Sequence, residues 1–421
     1  MSIQRVLYCA AHGGFGGQAI PLGGGAAVSN LLLDEWARTQ PFEVELISPA
    51  ILGAGAPSGR QLVEFDERQY AAFCESFRAA STQAVLRADP RTSSVLVNDI
   101  SEGPDFAALA QAGFRIVTVY HVDVVAYISA IYLKDRLSPR GLTRFWEWMR
   151  ALRLDRVAPV ILRLIFAQQR ASLVYSDAVV VPSSGMKDIL LECYPDTPAG
   201  RIHVVPWGAP PRFGPEEDAR LAAAELRREF GVPAEAQVLL CLSRISPEKG
   251  QDVLLEALLD AERRGQLPPQ PLWLFLCGEP AFMHGRRHME RLKQLAARLR
   301  QVRVVFPGYM SGLRKQAAFH MADLYVFPSR HESYGLTLME ALSEGLPAVC
   351  LEHQGSREVM TPEVGVMLRD HERGQLWPAI AAVLADGERR KAMSHAARTL
   401  AASRPFAVSA ARVAGLLLGQ A

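Results

Sequence analysis

The stretch HESYGLTLMEALSEGLPAV carries two glutamates, Glu332 and Glu340, with seven residues between them and Gly335 just ahead of a predicted helix. It follows LYVFPS, an apolar run that reads as a strand. The spacing predicts a helix from about Leu336 to Glu344, whose first N–H groups and dipole would favour a phosphate. Glu332 is expected in the loop before that helix. Glu340 is expected on the face it shares with Leu336, Thr337 and Glu344, where its carboxylate could accept both hydroxyls of a ribose. Upstream, SRISPEKG places Arg244 and Lys249 between a strand and a helix beginning near Gln251. A guanidinium fork and an ammonium could neutralise a diphosphate whose charge grows as it departs.

Further segments supply backbone rather than side chains. EHQGSRE sets Gly355, Ser356 and Glu358 after another strand, in a turn whose N–H groups could face phosphate or sugar. PLGGGAAVSNLL places Gly23, Gly24 and Gly25 before a helix expected to start around Ala26, and a loop without side chains lets the backbone approach a phosphate or sugar closely. The earlier HGGFGGQ, with Gly13, Gly14, Gly16 and Gly17, reads as part of the same wall. RIVTVYHVD ends a strand at His121, where a side chain can leave the sheet, and Asp123 either orients that imidazole or caps a helix.

These residues need a scaffold of strands that all end on one side. RVLYCAAH, FEVELISP, SVLVNDI, RIVTVYH, AVVVPSS and IHVVPWG alternate with helical patterns, which predicts a parallel sheet covered by helices. VLLCLSRI, LWLFLCG, VRVVFPG, LYVFPS, PAVCLE and VGVMLRD predict a second sheet of the same kind. A chain of 421 residues exceeds one hydrophobic core, and PWGAPPRFGPEED interrupts regular structure between the two series. The expected domains are 1–205, 206–395 and a helical segment 396–421 with a break near Pro405. Ligands of open parallel sheets bind outside the carboxyl ends of the strands, so two such sheets predict one interdomain cleft.

Taken in order, SRISPEKG, LCGEP, VVFPGYM and LYVFPSRHESYGLTLMEALSEGLPAV resemble the retaining glycosyltransferases of sequence family 4, over nearly the whole chain. The resemblance implies the GT-B fold, with two Rossmann-like domains facing each other, and a retaining transfer of a hexose-type sugar from a nucleotide-sugar, UDP-linked most often, to an acceptor hydroxyl on a glycan, a lipid-linked acceptor or a secondary metabolite. It implies that Arg244 and Lys249 hold the donor diphosphate, Glu340 the ribose, and Glu332 the hydroxyls of the transferred sugar. It places His121 facing the reacting sugar, and Gly24 and Gly25 in the loop facing donor phosphates or acceptor. Gly278 and Glu279 of LCGEP fall where the family has a glycine-rich turn near the base. Glu332, Ser333, Tyr334 and Gly335 replace the family's E-P-F-G, which changes the wall of the donor pocket that continues into Leu336. The segment 396–421 is expected to brace the N-terminal domain.

Composition narrows the alternatives. With 49% hydrophobic and 21% charged residues and a net charge of +2, the chain reads as a globular enzyme, and nothing in the balance of charge invokes nucleic acid. The six cysteines form no C-x-x-C pair and are expected as reduced core thiols. The sequence contains no D-x-D or H-E-x-x-H, so a metal-independent reaction without cofactor is expected. The opening residues read as a strand rather than a signal peptide, and no run of about 18 apolar residues spans a bilayer, so a cytoplasmic location is expected. Residues 134–170 are rich in cations and include Trp146 and Trp148, a pattern that suits a helical cover, a peripheral contact with an anionic inner-membrane surface or a groove for an anionic acceptor. A nucleotide-sugar epimerase of the same architecture and a non-catalytic nucleotide-sugar binding protein are the competing classes.

Overall fold

In the computed structural model, which describes residues 3–14, 23–129, 136–281 and 284–420, the chain divides into two compact units. One comprises residues 1–207 and 407–421, the other 208–406. The break after Trp207 falls within the Pro- and Gly-rich segment. Residues 396–406, grouped by sequence with the closing segment, lie in the second unit.

The first unit holds strands β1 (Arg5–Cys9), β2 (Glu43–Ile47), β3 (Ser93–Val97), β4 (Arg115–Val119), β5 (Ala178–Val181) and β6 (Ile202–Val204), all parallel, in the order β2-β1-β3-β4-β5-β6. The second holds β7 (Gln237–Leu242), β8 (Leu272–Cys277), β9 (Val302–Val305), β10 (Leu324–Phe327), β11 (Ala348–Leu351) and β12 (Gly365–Leu368), also parallel, in the order β12-β11-β10-β7-β8-β9. Helices cover both faces, so the inner strands β3, β10 and β11 are buried throughout, whereas the edge strand β2 keeps exposed positions. Leu7, Val95 and Ile116 pack with Phe77 and Phe106 in the first unit, and Leu239, Leu274 and Val326 pack with Leu254, Leu258 and Ile380 in the second.

Each sheet reverses its winding once. In the first unit the reversal lies between β1 and β3, and in the second between β7 and β10. Loops leaving two such neighbours diverge to opposite faces of the sheet and leave a crevice between them.

Local structure departs from the sequence reading at three places. The first long helix runs Gly24–Thr39, so Gly24 and Gly25 lie inside its first turn and only Gly23, at φ 96°, precedes it. EHQGSRE forms a helix, Gln354–Val359, because the His353 side chain accepts from Ser356 N and the Ser356 hydroxyl accepts from His353 N. The last helices, Gly387–Ser403 and Phe406–Leu418, are separated at Arg404 and Pro405. The final helix closes the first unit, where Trp36 Nε1 donates to Ala410 O at 3.0 Å and Arg115 Nε to Leu416 O at 2.7 Å. Gly16 and Gly17 lie outside the described residues. All six cysteines are buried and none is in a disulfide. No helix among the described residues is long and apolar enough to cross a membrane.

Gly250 shows how tightly the loops after β7 and β10 are pressed together. Its φ is 65°, and a Cβ there would stand 1.9 Å from Pro328 O. Gly265 has nearly the same φ, 63°, but open space around it. Gly250→Ala is therefore expected to lower stability by about 2 kcal/mol or more beyond Gly265→Ala, because only the first adds a clash to the left-handed strain. Equal denaturation midpoints for the two variants would remove the close contact.

Candidate functional site

In the second unit, Arg244, Lys249, Glu332 and Glu340 all lie on the loops and helix that follow β7 and β10, beside the crevice. The Lys249 ammonium donates to Glu332 Oε1, and both side chains are largely buried. Arg244 lies 3.8 Å from Glu248, whose carboxylate also accepts from Ser246 Oγ at 2.6 Å. Burial pushes the Glu332 carboxyl up, but Lys249 and Arg244 outweigh it and hold the group below the usual range. Burial acts the same way on Glu248 and is overcome by Arg244 and Lys249.

Arg330, which the sequence reading did not single out, fixes these loops to one another. Its guanidinium donates to both Asp252 oxygens, at 2.8 and 3.0 Å, and to Pro247 O at 2.6 Å, while its backbone N–H donates to Glu248 O at 2.8 Å. A planar fork with five donors suits this double engagement. Tyr325 adds a tie from β10: its hydroxyl donates to Leu242 O and is also hydrogen-bonded to Thr337 Oγ1, at 2.9 Å each.

Gly335, at φ 92°, precedes the helix Leu336–Ser343. Glu340 sits on that helix, but its Oε1 accepts from Lys315 Nζ at 2.7 Å, so Oε2 alone remains unpartnered and the carboxylate is not a doubly open acceptor. Tyr334 is 4% exposed and held against backbone, since a Cβ on Gly355 would stand 2.0 Å from Tyr334 O. Gly278 is required by close approach as well: at φ 140°, a Cβ would meet Ser243 O at 1.9 Å. Glu279 joins the same seam through its carbonyl, which accepts from Ile245 N at 2.9 Å.

Four buried polar atoms around this crevice have no hydrogen-bond partner: Ser329 Oγ, Ser333 Oγ, Glu340 Oε2 and His353 Nε2. Each such atom costs roughly 1–3 kcal/mol when left unsatisfied. All four lie on segments that follow β10 and β11, where a polar ligand or water could supply the partners that the chain does not. Burial pulls the His353 imidazole down to about 3 despite Glu332 nearby, so it is neutral there.

The first unit carries a separate cluster at its own reversal. His121, after β4, bonds through Nε2 to Asn98 Oδ1 at 2.9 Å, and Tyr8 donates to the same oxygen at 2.8 Å. Because an amide oxygen only accepts, Nε2 carries the proton and Nδ1 keeps the lone pair. Burial lowers His121 to about 4, although Asp99 pulls the other way. The ring stacks on Trp207 with centroids 6.1 Å apart, and a Cβ on Gly25 would approach it to 3.1 Å. Gly25 thus makes room for the imidazole, whereas nothing lies within 4 Å of a Cβ on Gly24.

Asp123 proves to be a helix cap. Its Oδ1 accepts from Val125 N, Ala126 N and Gln169 Nε2 at 2.9–3.1 Å, and Asn98 positions His121 in its place. Sequence reasoning also missed His12 and Asp99, which sit beside Asn98: His12 donates through its backbone at 3.1 Å, and its Nδ1 lies 3.0 Å from Asp99. Burial pushes Asp99 up, but His12 and His121 hold its carboxyl below the usual range. Glu102 close by is pushed up by burial and accepts from Tyr70. The signal was the position of CAAH and VLVND, where polar residues follow the carboxyl ends of β1 and β3. No group of three or more His, Cys, Asp or Glu among the described residues is placed to hold a metal.

The neutral histidines have a consequence for stability. A buried imidazole with a depressed value binds its proton in the unfolded chain first, so stability falls as pH drops from about 6.5 toward 4 for His121 and toward 3 for His353. His203 and His288 are lowered in the same direction. The melting temperature is expected to fall by several degrees between about pH 6.5 and 5. His121→Asn with His353→Asn should flatten that slope, and an unchanged slope would show that the two rings are not held neutral.

Residues 223–400 match the family model described as glycosyl transferases group 1. Among curated relatives, the GDP-mannose-dependent alpha-(1-6)-phosphatidylinositol monomannoside mannosyltransferase of Mycolicibacterium smegmatis is 31% identical over 228 residues, covering 52% of this chain and 56% of that one. The D-inositol 3-phosphate glycosyltransferase of Corynebacterium jeikeium is 32% identical over 240 residues, covering 56% of this chain and 55% of that one. The chain thus spans little more than half the length of these relatives. Among solved structures, Anabaena HepE in complex with UDP and glucose superposes with a TM-score of 0.68 at 18% identity, over 98% of this chain and 99% of that one. At that identity the likeness shows the fold alone, which is GT-B.

Proposed function

We propose that this chain, whose residues 223–400 match the glycosyl transferases group 1 family model, is a retaining, metal-independent glycosyltransferase that moves a hexose from a UDP-sugar to a hydroxyl-bearing acceptor. The observation that carries the reading is the gathering of Arg244, Lys249 and Glu332 with four unpartnered polar atoms around one crevice. In this reading Arg244 and Lys249 take the diphosphate as its bond to the anomeric carbon breaks, the step at which negative charge on the phosphate rises most. Glu332 and the neighbouring Ser333 accept from and donate to hydroxyls of the sugar. Glu340 Oε2 accepts from the ribose while Lys315 holds the other oxygen. His121, neutral and with Nδ1 as acceptor, receives a sugar hydroxyl rather than donating a proton. Metal independence is the reading because two cations could do the neutralising that a divalent ion does in other transferases. UDP is supported by the likeness to a protein solved with UDP and glucose, while a relative's name specifies GDP-mannose.

The base is decided by a thermal-shift panel of UDP, GDP, ADP and their sugar conjugates, with and without EDTA. A chelator-insensitive rise with UDP or UDP-sugars is expected. A rise with GDP alone would change the base but keep the transferase, and no rise with any nucleotide would overturn the donor site.

Arg244→Ala and Lys249→Ala are each expected to slow transfer at least about tenfold, since a hydrogen bond to a charged group contributes about 1.5–3 kcal/mol. Glu340→Ala is expected to weaken nucleoside diphosphate binding without changing the melting temperature of the unliganded chain by more than a few degrees. Unaltered affinity would remove it from the ribose.

A further inference from the structure

The helix Pro139–Ala151 and the short turn Leu154–Val157 that follows it present an unusual surface. Thr143 and Trp146 face inward, and the Trp146 ring stacks on Phe166 with centroids 4.4 Å apart. The opposite face carries Phe145, Trp148 and Leu152, and the chain beyond continues with Leu154, Val157 and Val160, all exposed. Val157 is 85% exposed, Trp148 54% and Phe145 50%. Of the large hydrophobic residues exposed anywhere among the described residues, nearly half lie between Leu137 and Val160. Scattered exposed apolar residues need no explanation, but a contiguous ridge of them does. The rings of Phe145 and Trp148 stack on each other at 5.8 Å in solvent instead of turning inward.

Arginines are interleaved with this ridge. Arg140, Arg144, Arg150, Arg153 and Arg156 are all exposed, against only Glu147 and Asp155. Glu147 is already engaged by Arg150 at 2.8 Å and Arg170 at 3.0 Å. Arg153 is the one residue other than glycine with positive φ among the described residues, at 59°. Most side chains avoid that conformation, and here it turns the chain so that Leu152 and Leu154 both remain outside.

The geometry points to this ridge, Arg140–Val160, as a docking surface for an anionic lipid bilayer. Aromatic and aliphatic side chains enter the boundary between headgroups and acyl chains, and long guanidinium side chains reach back to the phosphates. Charge complementarity selects lipid. A bilayer of negative headgroups meets an arginine-rich border at any rotation about the membrane normal, and it accepts protruding apolar groups without shaped pockets to receive them. The inference does not depend on the transfer reaction proposed above, and its test reads membrane partition alone.

The full chain is mixed with vesicles of phosphatidylcholine, or of phosphatidylcholine with added phosphatidylglycerol, and separated by flotation. It is expected to float with the anionic vesicles, to remain behind with the neutral ones, and to be released by high salt. Arg144→Glu with Arg156→Glu should reduce partition about tenfold or more. Phe145→Ser with Trp148→Ser should also weaken it, and brominated acyl chains should quench the fluorescence of the parent chain but not of that variant. All four positions are exposed, so an unchanged melting temperature accompanies each result and the charge pair serves as a test separate from the aromatic pair. Equal partition on neutral and anionic vesicles would overturn the proposal. So would wild-type flotation of the charge variant, or the finding that the aromatic variant abolishes a concentration-dependent self-association while the parent chain never floats.

Discussion

A parallel sheet that winds outward in one direction and then in the other must leave a crevice where it reverses, and the chemistry of this protein is arranged around that constraint. In the second unit the reversal lies between β7 and β10, so SRISPEKG and PSRHESYG, far apart in sequence, become neighbours. Two loops carrying opposite charges would not by themselves settle into one geometry. Gly250 lets the first lie against Pro328 of the second, Arg330 bonds back to Pro247, Glu248 and Asp252, and the Lys249–Glu332 pair closes in the space that remains. A buried ion pair of this kind adds little net stability, because desolvating both partners offsets most of their attraction. Its consequence is positional: a cation and a carboxylate are held at fixed places beside groups that still lack partners.

The two units solve the same topological problem with different electrostatics. Around β7 and β10 the groups are ionic, and the carboxyls of Glu332 and Glu248 stay charged because neighbouring cations overcome the cost of burial. Around β1 and β3 the balance runs toward neutrality. His121 loses its proton to burial, and its remaining N–H is spent on Asn98, which leaves a directed acceptor with no net charge. Asp99 keeps its charge because His12 bonds it twice, while Glu102 a few residues on is pushed toward its protonated form and shares a proton-donating tyrosine. The first unit thus presents a neutral acceptor at its crevice, and the second a set of paired charges.

All twelve strands were legible in the sequence, since each is a short β-branched or leucine-rich run closed by Gly, Pro, Ser or a polar pair. That Arg244, Lys249 and Glu332 lie on loops after strands was legible because each comes soon after such a run. What escaped was partnership. Asp123 sits two residues from His121 in sequence, yet the helix it caps takes its oxygen, and the residue that orients the imidazole comes from the neighbouring strand. Glu340 was readable as a carboxylate on a helix, but Lys315, which takes one of its oxygens, lies on the separate helix Gly312–Met321. Local spacing reports which face a side chain occupies and is silent on what the next element brings to it.

The glycines illustrate the same limit from the backbone side. The run Gly23–Gly25 invites a reading as a phosphate-binding loop, because absent side chains permit close approach. In the folded unit only Gly23 uses positive φ, and the space above Gly25 is filled by the His121 ring. Gly250, Gly278 and Gly355 stood out less in sequence, yet each is pressed against a carbonyl at about 2 Å from where a Cβ would be. These three lie where the segments following β7, β8, β10 and β11 cross. A side chain at any of them would force apart the loops that carry Arg244, Lys249 and Glu332, so the reach of the charged groups depends on residues that have no chemistry of their own.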